Sequence, residues 1–414
     1  MAILALIFLS LFLLPLTGHA ATTTGSNPSA EAAAPLLKAG IDAYNAGDYT
    51  AAVADLKQAQ ALLPDKSSPA LYLGLAYLKQ DNLSQAIDAW QRYIKLTPDT
   101  QTEKTNDLQA TVARDLTILL REQNRVQAQA AIANESSIGP PDPNAVAITY
   151  YRNLGSPELS PLQKGLAELI IADVSKVPNL KVVERDRLQA LLDEMKLGSS
   201  GLADPNTVAR SGRLLGAARV VTGTYVDPTK GQLHVESTLA QAGSTQPLSP
   251  QTDSSERFYE IEKRLSAEIL SNLGYSEAQL KSRGLWQAVE TPQTTNFKAF
   301  VDFSNGLEAK DNQDYAKARG LFQQALAEDP TFTLALQMLN RTPMAAMSVA
   351  AVANSVGAQA PAAATVVAAL PILNIGASVP HIPAVVSAPP PAPPPPPPPL
   401  APPAIPVVSF PHHP

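Results

Sequence analysis

A spacing of 34 residues governs the first hundred positions, where Gly40, Ala52 and Pro64 return as Gly74, Ala86 and Pro98. Tyr44 and Tyr49 in GIDAYNAGDYTAAVADLKQAQALLPD, and Tyr77 and Trp90 in LGLAYLKQDNLSQAIDAWQRYIKLTPD, fill the large-residue places of the same register. A repeat of this length is one supersecondary unit. Small residues let two helices cross closely, aromatics fill the space between them, and proline ends the unit. A third copy stands far downstream in NGLEAKDNQDYAKARGLFQQALAEDP, with Gly306, Tyr315, Ala318, Phe322, Ala325 and Pro330 in matching places.

These units resemble tetratricopeptide repeats, over residues 33–98 and again over 299–332. One such unit cannot bury its apolar face alone, and about three stacked units are usual for stability. Residues 103–134 carry Leu108, Val112, Leu116, Leu119 and Leu120 at helical spacing, which suits a capping helix and extends the first array over 33–138. The downstream repeat, 295–341, has only FTLALQML as a cap and must dock on a neighbouring domain or on the first pair. The resemblance implies a concave face made by the first helix of each pair, suited to a protein or peptide partner. Lys38, Asp42, Asn45, Tyr72, Lys79 and Gln80 are the candidates on those helices, each of which also reads as part of a solvated face.

Between the repeats, over 145–280, short β-type runs alternate with amphipathic helices. VAITYY (146–151) alternates as a strand; Leu162, Leu166, Leu169, Ile170 and Val177 mark one helix face; LKVV is a second strand. Leu188, Leu191, Leu192 and Met195 share the next helix face, Asp204 and Pro205 open another helix, and RVVTGTYV, DPTKG and QLHVESTL make a hairpin. Asp253 with Glu256 reads as a capping pair for a last helix ending at Gly274. The fold class is thus multidomain: all-α repeats, an α/β domain with a mixed sheet flanked by helices, and a Pro-rich tail.

YRNLGSPELSPLQKGLAELI, followed by VVERDRLQALLDEMKLGSSGLADPNTVARSGRLLGAARVVTGTYV, resembles the curli-secretion (CsgG-like) family and its relatives, among them activators of penicillin-binding proteins. The resemblance implies a non-catalytic role in cell-envelope assembly. Pore-forming members carry a lipidated N-terminal cysteine and two long amphipathic hairpins. This chain has no cysteine, and its clear hairpin turns within DPTKG, so pore formation is not carried over, whereas a ring-like homo-oligomer stays compatible.

The run Glu184, Arg185, Asp186, Arg187 stands where a strand gives way to a helix. Acidic groups there favour the helix dipole by ~0.3–1 kcal/mol. The functional reading is that Arg185 and Arg187 meet a partner at the carboxyl edge of the sheet. Catalysis finds no support. The chain has five histidines, of which only His234 lies in a folded region, and GSSG (198–201) follows a helix where a phosphate loop would open one. No cofactor or metal is expected. With 31 basic against 37 acidic residues and a net charge of −6, nucleic acid is not expected as a partner either.

The apolar stretch Ala2–Leu16, followed by Gly18 and Ala20, reads as a signal peptide over 1–20, since it falls short of the ~20 residues of a spanning helix. From Thr342 to Pro414 there is no charge at all and 20 of the 38 prolines, which predicts a disordered Ala/Val/Pro-rich tail. The expectation is an exported or periplasmic non-catalytic adaptor, at or near the outer membrane, binding envelope proteins through its repeats. The alternative is an oligomeric component of a curli-like outer-membrane secretion or assembly system.

Overall fold

Repeat one is α1 (Pro28–Ala46) with α2 (Tyr49–Leu62), and repeat two is α3 (Ser68–Lys79) with α4 (Leu83–Leu96). The computed structural model of the chain describes residues 28–97, 103–197, 204–229, 231–241 and 244–370. The signal-peptide reading of 1–20 and the tail reading of 371–414 lie outside the described residues. In each repeat the second helix starts on a side-chain cap: Asp48 accepts from the Ala51 amide and Asn82 from the Gln85 amide. Gly40 and Gly74 lie under Leu56 and Trp90, which follow their glycines at the same interval. A Cβ on Gly74 would stand 2.1 Å from Trp90 Cδ1, so only glycine admits the indole here. Ala52 and Ala86 are fully buried at the helix crossings, as the repeat register requires.

α5 (Glu103–Ala133) has 31 residues and is therefore about 46 Å long at 1.5 Å per residue. Its first half packs Leu108, Val112, Leu116 and Leu119 into the core of the repeats, while Ala128 belongs to the core of the α/β domain. One helix thus caps the repeats and feeds the next domain.

That domain runs β1 (Asp142–Asn153), α6 (Leu162–Val174), β2 (Lys181–Val182), α7 (Arg185–Glu194), α8 (Pro205–Leu214), β3 (Ala217–Val226), β4 (Gln232–Gln241), β5 (Ser244–Pro247), β6 (Gln251–Ser254) and α9 (Phe258–Asn272). The six-stranded sheet has the order β2-β1-β3-β4-β5, with β6 pairing β4. β1 is parallel to β2 and β3, with Ile148 opposite Val221, and the β3–β4 hairpin is antiparallel with Val221 opposite Leu239. The alternation expected of β1 is absent: Ala145 to Tyr151 are all buried, as befits a central parallel strand covered on both faces. β3 is held by β1 along its length, so the hairpin is part of the sheet and not a free amphipathic arm. Asp253 does not cap α9; it lies in β6 and faces Arg257 and Arg264 at 3.7 and 3.5 Å.

After α10 (Glu277–Ser282) and α11 (Trp286–Glu290) comes the third repeat, α12 (Phe297–Asp311) with α13 (Tyr315–Glu328), closed by α14 (Thr333–Arg341). Asp314 caps α13, and Gly306 lies under Phe322 as Gly74 lies under Trp90. The repeat docks on the α/β domain and shares its core: Phe300 stacks on Phe258 with ring centroids 4.4 Å apart, and α12 crosses α6 where Gly165 leaves room for Ser304. The uncharged segment then departs from the expected tail. Residues 349–359 and 363–368 form α15 (Val349–Gln359) and α16 (Ala363–Ala368). Pro361 separates the two helices without interrupting either, and their apolar faces join the core of the first repeat pair.

Candidate interaction groove

The inner face expected of the first array belongs to the first helices of the repeats, α1 and α3, which α5 continues. α15 lies against α3 and α5, and α16 lies against α1, so the face expected to take a partner holds a segment of the chain itself. α3 is consequently buried from Pro69 to Leu78. Ser348 caps α15 by accepting from the Ala351 amide. Val352, Ala353, Val356, Ala363, Val366 and Leu370 point inward and supply the apolar contact. Polar pins fix the register: the Tyr72 hydroxyl donates to the Pro361 carbonyl, Lys79 Nζ donates to Asn354 Oδ1 at 2.8 Å, and Thr111 Oγ1 donates to Gln359 Oε1 at 3.4 Å. Tyr44 stands edge-on to Tyr72 with centroids 5.9 Å apart, and its hydroxyl faces Gly357. Burial, with Tyr44 adding to it, lifts the Tyr72 phenol to about 12, so it stays a donor.

Of the candidates read from the sequence, Tyr72 and Lys79 meet in this groove, both already engaged by the uncharged segment. Lys38, Asp42 and Asn45 are exposed on α1, with Lys38 Nζ paired to Asp42 at 2.5 Å, and Gln80 donates to Thr50. The polar pins and apolar contacts of α15 were missed. Their signal was present, since Val349, Val352, Ala353 and Val356 keep helical spacing inside a stretch read by its composition alone.

Arg185 is not at an open edge. Only 2% of it is exposed, at the first position of α7, where its guanidinium meets Glu168 at 3.0 Å, Asp311 at 2.6 Å and Asp186 at 2.7 Å. Lys164 bridges to Asp311 at 2.8 Å and Lys310 to Asp186 at 2.7 Å, so three cations and three carboxylates tie α6 and α7 to α12. A partner cannot reach a buried side chain whose guanidinium nitrogens are already engaged by three carboxylates and the Tyr150 hydroxyl. Burial alone would push Asp186 and Asp311 up. Lys310 and Arg185 outweigh it at Asp186, as Arg185 and Lys164 do at Asp311, leaving both carboxyls below their ordinary range. Glu168 is raised by burial despite Arg185. Arg187, half-buried, lines a small recess with Asn124, Gln127 and Leu215 and does not share the network.

Beside the network a cleft of about 170 Å³ is lined by Arg121, Asp186, Gln189, Asp193, Lys310 and Tyr315. Two of its carboxylates, Asp186 and Asp311, are held ionised by cations and so are poorly placed to trade a proton near neutrality. Among the described residues no cluster of three or more His, Asp or Glu side chains is arranged to hold a metal ion, and no helix is long and apolar enough to cross a membrane.

Residues 37–99 match the family model described as Tetratricopeptide repeat, and residues 116–227 match the one described as Curli production assembly/transport component CsgG. The second match begins inside α5 and ends in the turn of the β3–β4 hairpin. No curated protein and no solved structure matches the chain. The chain thus carries tetratricopeptide repeats joined to a CsgG-like domain.

Proposed function

We propose that this combination of repeats and CsgG-like domain is a non-catalytic adaptor for assembly or secretion at the bacterial cell envelope, exported to the periplasm, which grips protein segments in the inner face of α1, α3 and α5. The observation that carries the reading is the occupied groove: helices α15 and α16 lie where a bound helix would lie, held by an apolar stripe and three polar pins. A surface that takes one helix by small apolar side chains is suited to take another. The repeats point to protein partners, and the CsgG-like domain points to curli-related secretion or assembly.

Photo-crosslinking in the native cell tests this, with a benzophenone side chain placed at Asn45, at Lys79 or, in the α/β domain between β6 and α9, at Glu256. Discrete envelope-protein adducts from Asn45 and Lys79, and none from Glu256, are the expected result. Adducts from Glu256 alone would move the partner site to the α/β domain. The match to a curli component favours a second reading, a ring-forming secretion component. Native mass spectrometry distinguishes the two, because a ring gives a fixed multiple of the single-chain mass.

A further inference from the structure

Asp115 lies in the middle of the apolar stripe of α5, between Val112 and Leu119, and is only 4% exposed. Its Oδ2 is buried with no hydrogen-bond partner. Arg114, the adjacent cation, donates to Thr111 Oγ1 instead. The direction of the carboxylate follows from helix geometry. Thr111, which reaches Gln359, marks the α15-facing edge of α5, and Gln109, which donates to Ile94 and Thr97 carbonyls, marks the α4-facing edge. At about 100° per residue Asp115 stands about 40° from Thr111 and about 120° from Gln109, so it leans towards the groove. Burial, offset in part by Arg114, lifts its carboxyl to about 6.

The segment now filling the groove brings this group no charge partner. From Thr342 to Leu370 it has no basic residue, and the amide oxygens of Asn354 and Gln359 accept from Lys79 and Thr111. It is also a light occupant, with helices of 11 and 6 residues that turn alanines and valines inward. Segments with few buried contacts open at the low end of local stability. We infer that α15–α16 is a displaceable occupant of the groove, and that the partner which replaces it is an apolar, small-residue helix bringing one lysine or arginine to Asp115. The inference rests on the groove being the partner site. It adds the chemistry that selects the partner: a cation gains the buried carboxylate that the chain's own helices leave unpaired. The tethered, uncharged segment keeps apolar surface covered and yields to a helix that carries the charge.

Hydrogen exchange of α15–α16 in the full chain reads displacement directly. The probes are a synthetic peptide of the sequence 347–370 and a set in which single positions from 349 to 360 are replaced by lysine. At least one lysine peptide should deprotect α15–α16 at about tenfold lower concentration than the parent peptide. That advantage should vanish in the Asp115→Asn full chain and persist in Asp107→Asn, an exposed carboxylate on the same helix. If no peptide deprotects α15–α16, the segment is a permanent part of the fold and the inference fails. If no lysine peptide exceeds the parent, or the advantage survives Asp115→Asn, the selection by charge fails. A failure of the groove as partner site shows elsewhere, as native-cell crosslinks from Glu256 alone, whatever the lysine peptides do.

Discussion

In the first array the inner face is closed by helices whose inward side chains are Val352, Ala353, Val356, Ala363 and Val366, whereas the downstream repeat meets the α/β domain through Arg185, Asp311, Lys164, Lys310 and Asp186 together with the Phe258–Phe300 stack. The repeat unit itself is the same in both places, down to the glycine under Trp90 or Phe322. What differs is what leaving would expose. An uncharged helix that departs bares apolar surface and a few polar groups that water can solvate, and another helix can cover both. A repeat that departs from α6 and α7 strands buried charges, a far larger penalty. Repeats of one design are therefore locked to a neighbour in one half of the molecule and carry an exchangeable cover in the other.

The largest effect should come from breaking the charged joint. Arg185→Met leaves Glu168 and Asp311 without their shared cation and should destabilise the α/β domain and downstream repeat by about 3–5 kcal/mol. Scanning calorimetry should show their transition move while that of repeats one and two stays. Asp311→Leu in the same chain should recover part of the loss. An unshifted transition in Arg185→Met would mean that the stacked phenylalanines alone carry the joint.

Next in size are the matched glycines. Gly74→Ala sets a Cβ 2.1 Å from Trp90 Cδ1 and Gly306→Ala sets one 2.5 Å from Phe322 Cε1. Each should cost about 1–3 kcal/mol by overpacking, the first in the transition of the first array and the second in that of the downstream half. If both substitutions shift both transitions equally, the two halves are not separate in the way their cores indicate.

Smaller again is the apolar closure. Val352→Ser with Val356→Ser should cost about 1 kcal/mol per site and appear as faster hydrogen exchange in α15 and α16 alone.

The most gradual effect is in pH. Burial, with Asp173 adding to it, raises Glu262 to about 8, and Asp115 stands at about 6. Both exceed their unfolded values, so each contributes stability that is fully present below the unfolded pKa and lost as pH rises through the folded one. The first array should soften as pH rises from about 4 to about 6 and the downstream half as it rises from about 4.5 to about 8, each by no more than about 1.4 kcal/mol per pH unit and with no further loss above those limits. Asp115→Asn should flatten the first slope and Glu262→Gln the second, measured as melting temperature against pH. A single common slope that neither variant alters would remove both carboxyls as its source.

The sequence by itself determined the repeats and the order of the α/β elements. The interval linking each glycine to its large partner is local, and so are the helix caps at Asp48, Asn82 and Asp314, so the register is written in residues that touch within one unit. Only the tertiary structure decided where Arg185 goes. Its acceptor Asp311 stands 126 positions away, and nothing in ERDR distinguishes a charge that faces water from one that crosses to another domain. The same holds for α15 and α16. Val and Ala at helical spacing are marginal as an isolated helix, and the segment becomes helical because α1, α3 and α5 offer a face on which those side chains are buried. Asp115 looks like one polar residue in a good helix until the groove closes over it. Burial is a property of the assembled surfaces, which is why the residue best placed to select a partner was the one the sequence left unmarked.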